Sequence, residues 1–120
     1  MNDRQREYFR RKLLAWRDEV LEEARLTLQQ LRDEQTQSDV IDRASLESDR
    51  SVELRARSRQ HKLISKIDAA LERIDKGTYG FCEDTGEPIG LRRLEARPIA
   101  TFSVEAQERH ERREKQYRSE

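Results

Sequence analysis

Two stretches of the chain each carry one narrow stripe of apolar residues on a polar background. Within each stripe the apolar residues recur mainly at steps of three and four, which is the spacing of one face of an α-helix. The first stripe consists of Phe9, Leu13, Trp16, Val20, Ala24, Leu28 and Leu31, and the second of Leu46, Leu63, Ile64, Ile67, Ala70, Leu71 and Ile74. The pattern predicts two long helices that pair through these faces.

The segment between the stripes predicts a turn. In EQTQSDVIDRAS, residues 34–45, the periodicity lapses and Gln, Thr, Ser and Asp crowd together. This composition reverses the chain and starts a new helix. We predict an antiparallel coiled-coil hairpin over residues 1–76 with its tip near 35–45. At ~1.5 Å per residue, an arm of roughly 30 residues reaches on the order of 45 Å.

The backbone breakers are confined to one window. All four glycines and both prolines lie between Gly77 and Pro98, which predicts a small irregular or two-stranded unit over residues 77–103. The remaining stretch, 104–120, is predicted to be a charged helix that packs through Val104 and Ala106. The expected fold class is mostly α, with a long hairpin, a small degenerate zinc-ribbon-like unit and a C-terminal helix.

The spacing in the glycine window is that of a four-cysteine zinc ribbon. Cys82 stands at the first ligand position, Thr85 at the second place of a C-x2-C pair, and Ser103 and Ala106 at the second pair. One thiolate cannot complete a tetrahedral zinc site. We therefore predict that the unit holds no metal.

Packing and hydroxyl hydrogen bonds are predicted to replace the zinc. The packing side chains would be Phe81, Ile99, Phe102 and Val104. The hydroxyls of Thr85 and Ser103 would bond to nearby amides. Acidic neighbours, Glu83 and Asp84, argue against a reactive thiolate at Cys82, so we interpret it as a remnant ligand rather than a redox sensor.

Composition and charge restrict the class of partner. Charged residues make up 42% of the chain and hydrophobic ones 33%, so most of it must be elongated. Lys plus Arg equals Asp plus Glu at 25 each, which leaves no net field for DNA, RNA or an anionic membrane. No run of apolar residues spans a bilayer or resembles a signal peptide. We expect protein partners, no sequence-specific DNA binding and a cytoplasmic address.

Two charged groups are candidates for function. Asp39 and Asp42 at the tip would cap the second helix, or would reach a metal ion in another protein, since carboxylates suit Mg²⁺. Near the base, a phosphorylated molecule would fit between Lys66 and Arg97. The plainer interpretation of this second group is a solvated charged face, formed by Lys62, Lys66, Arg92, Arg93, Glu95 and Arg97.

The residues give little support to catalysis. His61 and His110 have no cysteine or histidine partner at metal-ligand spacing, and neither a nucleophile triad nor a phosphate-binding loop is present in the sequence. We predict that the chain is not an enzyme.

Several stretches together resemble the DksA family of bacterial transcription factors over nearly the whole chain. They are FRRKLLAWRDEV, SDVIDRAS, ELRARSRQHKLISKI, YGFCEDTGEPIGLRRLEARP and REKQ. The resemblance implies a monomer that binds RNA polymerase through its secondary channel, with Asp39, Asp42 and Ala44 matching the family's tip residues. A transcript-cleavage factor of the Gre kind and a coiled-coil adaptor remain as alternatives.

The resemblance also implies an effector, guanosine tetraphosphate (ppGpp), at the junction of factor and polymerase in the stringent response. Lys66 and Arg97 match family positions that contact this nucleotide, and Arg59, Leu63 and Arg93 match neighbouring positions on the same surface. Gln107 stands where the family usually has a lysine. No permanently bound cofactor is expected.

Overall fold

Four helices account for most of the described chain. The computed structural model describes the backbone of residues 1–37 and 43–118 and the side chains of residues 1–33 and 50–117. In order, the helices are α1 (Asp3–Gln37), α2 (Arg43–Lys76), α3 (Leu91–Ala96) and α4 (Val104–Arg118). The mostly helical fold class predicted from the sequence is confirmed, and α3 is a helix that the sequence did not predict.

The two predicted stripes form the buried faces of α1 and α2. Phe9, Leu13 and Val20 of α1 and Ile67, Ala70 and Ile74 of α2 are at most 4% exposed. The other described stripe residues, Trp16, Ala24, Leu28, Leu31, Leu63, Ile64 and Leu71, are half-buried. Burial of these apolar faces provides the main force that pairs long polar helices.

The chain divides into two compact units. Unit 1 comprises residues 1–13 and 69–120, and unit 2 comprises residues 14–68. Within unit 1 an ion pair at 2.7 Å joins Arg10 of α1 to Asp75 of α2, and within unit 2 another at 2.7 Å joins Arg17 to Asp68. From the first pair to the second, the α1 residue moves forward by seven positions, from Arg10 to Arg17, while the α2 residue moves back by seven, from Asp75 to Asp68. The two helices are therefore antiparallel. The boundaries predicted at residues 76 and 103 remain a prediction.

Unit 1 contains the glycine window. Gly77 follows α2 with a φ of 79°, and the amide of Thr78 donates to the carbonyl of Arg73 at 2.9 Å, so a left-handed residue ends the helix. An isolated antiparallel bridge joins Phe81 to Pro88. Of the predicted alternatives, an irregular or a two-stranded unit, the described residues form the irregular one, with a single bridge followed by α3.

Candidate functional site: a single-cysteine knuckle and a charged base

Cys82 lies in the knuckle, which consists of residues 82–87 and 101–106. Its side chain is 2% exposed. The amide of Ser103 donates to its sulfur at 3.4 Å, and the amide of Gly86 donates to its carbonyl at 2.8 Å. The bond from Ser103 links the first predicted ligand position to the segment that carries the second pair, and the bond from Gly86 closes the turn that follows Cys82.

Hydrogen bonds favour the thiolate form of Cys82. Burial raises the pKa of the thiol. Hydrogen bonds from the Thr85 hydroxyl and from the amides of Ser103, Thr85 and Asp84 lower it by a larger amount, so that the pKa of Cys82 is about 6. The sequence argument considered the acidic side chains beside Cys82, whereas the structure turns the amide of Asp84 towards the sulfur. The hydrogen-bond donors around the buried sulfur therefore stabilise its thiolate form.

The hydroxyl groups of the knuckle make the kind of bond that the sequence predicted. Ser103 caps α4, since its hydroxyl accepts from the amide of Ala106 at 3.2 Å. The Thr85 hydroxyl accepts from the amide of Glu87 at 3.3 Å. Ala106, at the fourth ligand position, is fully buried.

The donor set of the knuckle does not fit a zinc ion. The four family ligand positions offer one sulfur, two hydroxyls and a methyl group, and zinc in a structural site takes four sulfur or nitrogen ligands. Within the described ranges, no group of three or more His, Cys, Asp or Glu side chains is arranged to hold a metal.

The packing predicted around the knuckle is wrong at two positions. Phe81 is 44% exposed and Val104 is 48% exposed, because Phe81 points away from the core and Val104 occupies the outer face of the first turn of α4. Ile99 and Phe102 are half-buried, and the ring of Phe102 lies 4.6 Å from that of His110. The buried side chains in their place are those of Tyr79, Leu94, Ala100 and Ala106.

A cluster of polar contacts ties α1 to α3 in unit 1. The ammonium of Lys12 donates to the carboxylate of Glu95 at 2.8 Å and to its main-chain carbonyl at 2.7 Å. The hydroxyl of Tyr8 donates to the same carboxylate at 2.6 Å. Hydrogen bonds from Lys12 and Tyr8 hold the pKa of Glu95 below its usual value. Sequence reasoning missed Tyr8 and Lys12, although their spacing of four places them on one face of α1.

The three arginines around Glu95 differ in whether they contact the rest of the protein. Arg93 is structural, since its side chain donates to the main-chain carbonyl of Phe102 at 2.8 Å. Arg92 and Arg97 are exposed and form no side-chain hydrogen bond or ion pair with the part of the chain that the structure describes. Two guanidinium groups are thus available to a ligand or partner.

The residues predicted to contact a nucleotide occupy two different units. In unit 2, Arg59, Leu63 and Lys66 follow each other at steps of four and three, which places them on one face of α2. Arg59 and Lys66 are exposed and Leu63 is half-buried. Arg93, Arg97 and Gln107 belong to unit 1.

Gln107 already has a partner within α4, because its amide group donates to the carboxylate of Glu111 at 3.3 Å. The shared nucleotide pocket remains a prediction.

The predicted tip residues lie outside the described part of the chain. Neither Asp39 nor Asp42 is described, and of Ala44 only the backbone is described, in the first turn of α2.

The helices give no sign of a membrane span. Among residues 1–37 and 43–118, no helix is both long and apolar enough to cross a bilayer. This accords with the high charge content of α1, α2 and α4.

The fold and the knuckle together define a class of protein: an antiparallel helical pair joined to a zinc-finger-like unit whose ligand positions no longer suit zinc. Residues 5–74 match the model of the DnaK suppressor protein DksA, N-terminal domain, and residues 77–112 match that of the prokaryotic dksA/traR C4-type zinc finger. The chain belongs to the DksA family, which confirms the resemblance noted in the sequence.

Similar proteins extend the match over nearly the full chain. The RNA polymerase-binding transcription factor DksA of Caulobacter vibrioides is 65% identical over 98% of this chain and 84% of its own length. The protein of the same name from Escherichia coli is 43% identical over 97% and 78%. The solved structure of transcription factor DksA2 from Pseudomonas aeruginosa has a TM-score of 0.87 at 48% identity and covers 96% of this chain and 89% of its own.

Proposed function

We propose that this protein is a transcription regulator that binds RNA polymerase. The observation that carries the proposal is the match of both family modules to one chain, together with 65% identity to a relative named for polymerase binding. The antiparallel pairing of α1 and α2 supports it, because a narrow helical pair suits entry into a channel.

In the proposed mechanism, the hairpin tip inserts into the secondary channel of the polymerase. Asp39 and Asp42 would stand near the catalytic Mg²⁺, where carboxylates change the local charge without performing a reaction. Together with Ala44, they would alter the stability of promoter open complexes. The protein would thus regulate an enzyme without being one, act as a monomer in the cytoplasm, and read no DNA sequence itself.

Guanosine tetraphosphate is the proposed effector at the interface with polymerase. Lys66 and Arg97 would supply charge-assisted hydrogen bonds to its phosphates, with Arg59, Leu63 and Arg93 on the adjoining surface. Lys66 and Arg97 are exposed, and Arg97 forms no ion pair with a described side chain, which supports this assignment. Gln107 offers a neutral amide in place of a cation, which predicts weaker binding than in a relative with lysine there.

Folding without zinc is part of the same proposal. The buried thiolate of Cys82 would gather the amide and hydroxyl donors that otherwise surround a metal-bound cysteine. Support comes from its four hydrogen-bond donors and from the Ser103 cap on α4.

A polymerase-binding assay tests the proposed function. The protein should bind core polymerase and compete with a hairpin factor that occupies the secondary channel. Lack of saturable binding would favour an unrelated coiled-coil adaptor. Stalled elongation complexes provide the second comparison, because rapid transcript cleavage on adding the protein would indicate a Gre-like activity, and intact transcripts are expected.

A further inference from the structure

Unit 1 carries an open groove that neither the knuckle nor the proposed tip and nucleotide contacts use. It has a volume of about 530 Å³ and lies between the start of α1 and α3, with Tyr8, Phe9 and Leu91 as its apolar lining. A smaller groove of about 200 Å³ shares Gln5 and Leu91 with it and extends the apolar surface to Met1 and Phe81.

Several large apolar side chains are exposed along these two grooves. Tyr8 is 49% exposed, Leu91 45%, Phe81 44% and Met1 40%. Single exposed apolar residues are ordinary, but several in adjoining grooves mark a binding surface. The surface is thus suited to apolar side chains of a partner.

The hydrogen-bond acceptors of the larger groove are largely occupied. Asn2 and Gln5 bond to each other's backbone amides through their side chains, at 3.0 and 2.9 Å, and form the cap of α1. The carboxylate of Glu95 is occupied by Lys12 and Tyr8. These acceptor oxygens have little remaining capacity to receive a hydrogen bond from a ligand.

Two cations lie at the rim of the larger groove. Arg4 and Arg92 line the larger groove, are exposed, and form no ion pair with any residue that the structure describes. Arg4 also lies in the first turn of α1, where a cation is unfavourable to the helix dipole. An anionic partner would compensate both charges.

We propose that this groove binds an acidic peptide segment of a partner protein. Carboxylates of the segment pair with Arg4 and Arg92, and its apolar side chains cover Tyr8 and Leu91. The complementarity of charge favours a carboxylate ligand, and the apolar lining favours a peptide with apolar side chains over a nucleic acid. The inference does not depend on polymerase binding, since the isolated protein contains the whole groove.

Fluorescence anisotropy with the full-length protein tests the proposal. The probe is a labelled synthetic peptide in which two leucines three residues apart are flanked by glutamates. We expect saturable binding with a dissociation constant below about 1 mM. In NMR spectra of the protein, addition of the peptide should change chemical shifts centred on Tyr8, Leu91 and Arg92. The double variant Arg4→Glu/Arg92→Glu should bind roughly tenfold more weakly.

Matched controls separate groove binding from general charge attraction. The double variant Arg109→Glu/Arg112→Glu makes the same charge change on exposed positions of α4 and should bind the peptide like the unmodified protein. A peptide with lysines for glutamates should not bind. The proposal would be overturned if both double variants lost the same affinity for the peptide, or if the lysine peptide bound as tightly as the glutamate peptide. It would also be overturned if the chemical-shift changes lay elsewhere on the protein, or if binding did not saturate up to about 1 mM peptide.

Discussion

Tyr79 donates a hydrogen bond from its hydroxyl to the main-chain carbonyl of Pro98 at 2.8 Å, across nineteen residues of sequence. The side chain is 3% exposed, and its ring lies 5.7 Å from that of Phe9. Burial raises the pKa of Tyr79 to about 12, against the opposing effect of Arg73, so the hydroxyl stays protonated as a donor at neutral pH. This contact fixes the end of α2 to the end of the LRRLEARP segment.

Replacing Tyr79 with Phe should destabilise the protein by about 1–2 kcal/mol, because the buried carbonyl of Pro98 loses its donor while the ring still packs. Urea unfolding followed by circular dichroism measures the change. The control is Tyr117→Phe, at a residue that is 81% exposed, which should leave the unfolding midpoint unchanged. Equal effects of the two substitutions would rule out the hydrogen bond as the cause.

The knuckle should make stability depend on pH. The folded-state pKa of Cys82, about 6, lies below the ordinary thiol value of 9.0, so its contribution is fully present above pH 9 and is lost as pH falls through 6. Ultraviolet absorbance of the thiolate should titrate with a midpoint near 6. Thr85→Val should raise that midpoint by removing a donor. A midpoint near 9 in both proteins would contradict the hydrogen-bonded anion.

Metal removal should have no effect on the fold. Elemental analysis of the purified protein should find no stoichiometric zinc, and a chelator should leave the unfolding curve unchanged, because only one of the four family ligand positions carries a zinc ligand. A four-cysteine relative is the control and should lose stability under the same chelator. Stoichiometric zinc in this protein would refute the metal-free knuckle.

The response to guanosine tetraphosphate should be limited by Gln107. Gln107→Lys should lower the nucleotide concentration needed for a half-maximal effect on transcription by several-fold, because a cation replaces a neutral amide near the phosphates. Gln116→Lys makes the same change further along α4 and serves as the control. No difference between the two variants would count against a nucleotide site at Gln107.

The helical part of the fold was predictable because its signal is local. Steps of three and four along a polar chain identify Leu13 and Ile67 as core positions, and both are fully buried. The absence of Gly and Pro before Gly77 indicates uninterrupted helices. Such features depend only on the spacing of neighbouring residues.

The interior of unit 1 was less predictable because its contacts join distant residues. Phe81 was expected inside, yet the buried ring is that of Tyr79, whose hydroxyl bonds to a carbonyl nineteen residues away. The donors around Cys82 are largely backbone amides, which carry no sequence signature. The resemblance identified the positions of the knuckle, but only coordinates show its hydrogen bonds.

The most direct measurement is the lifetime of open complexes on a ribosomal RNA promoter, with polymerase binding measured in parallel. The unmodified protein should change that lifetime. Asp42→Asn should bind polymerase with nearly the same affinity while the lifetime returns towards that of polymerase alone, because the substitution removes only a charge at the tip. A variant that changes the lifetime as fully as the unmodified protein, or that fails to bind, would contradict action through the tip carboxylates.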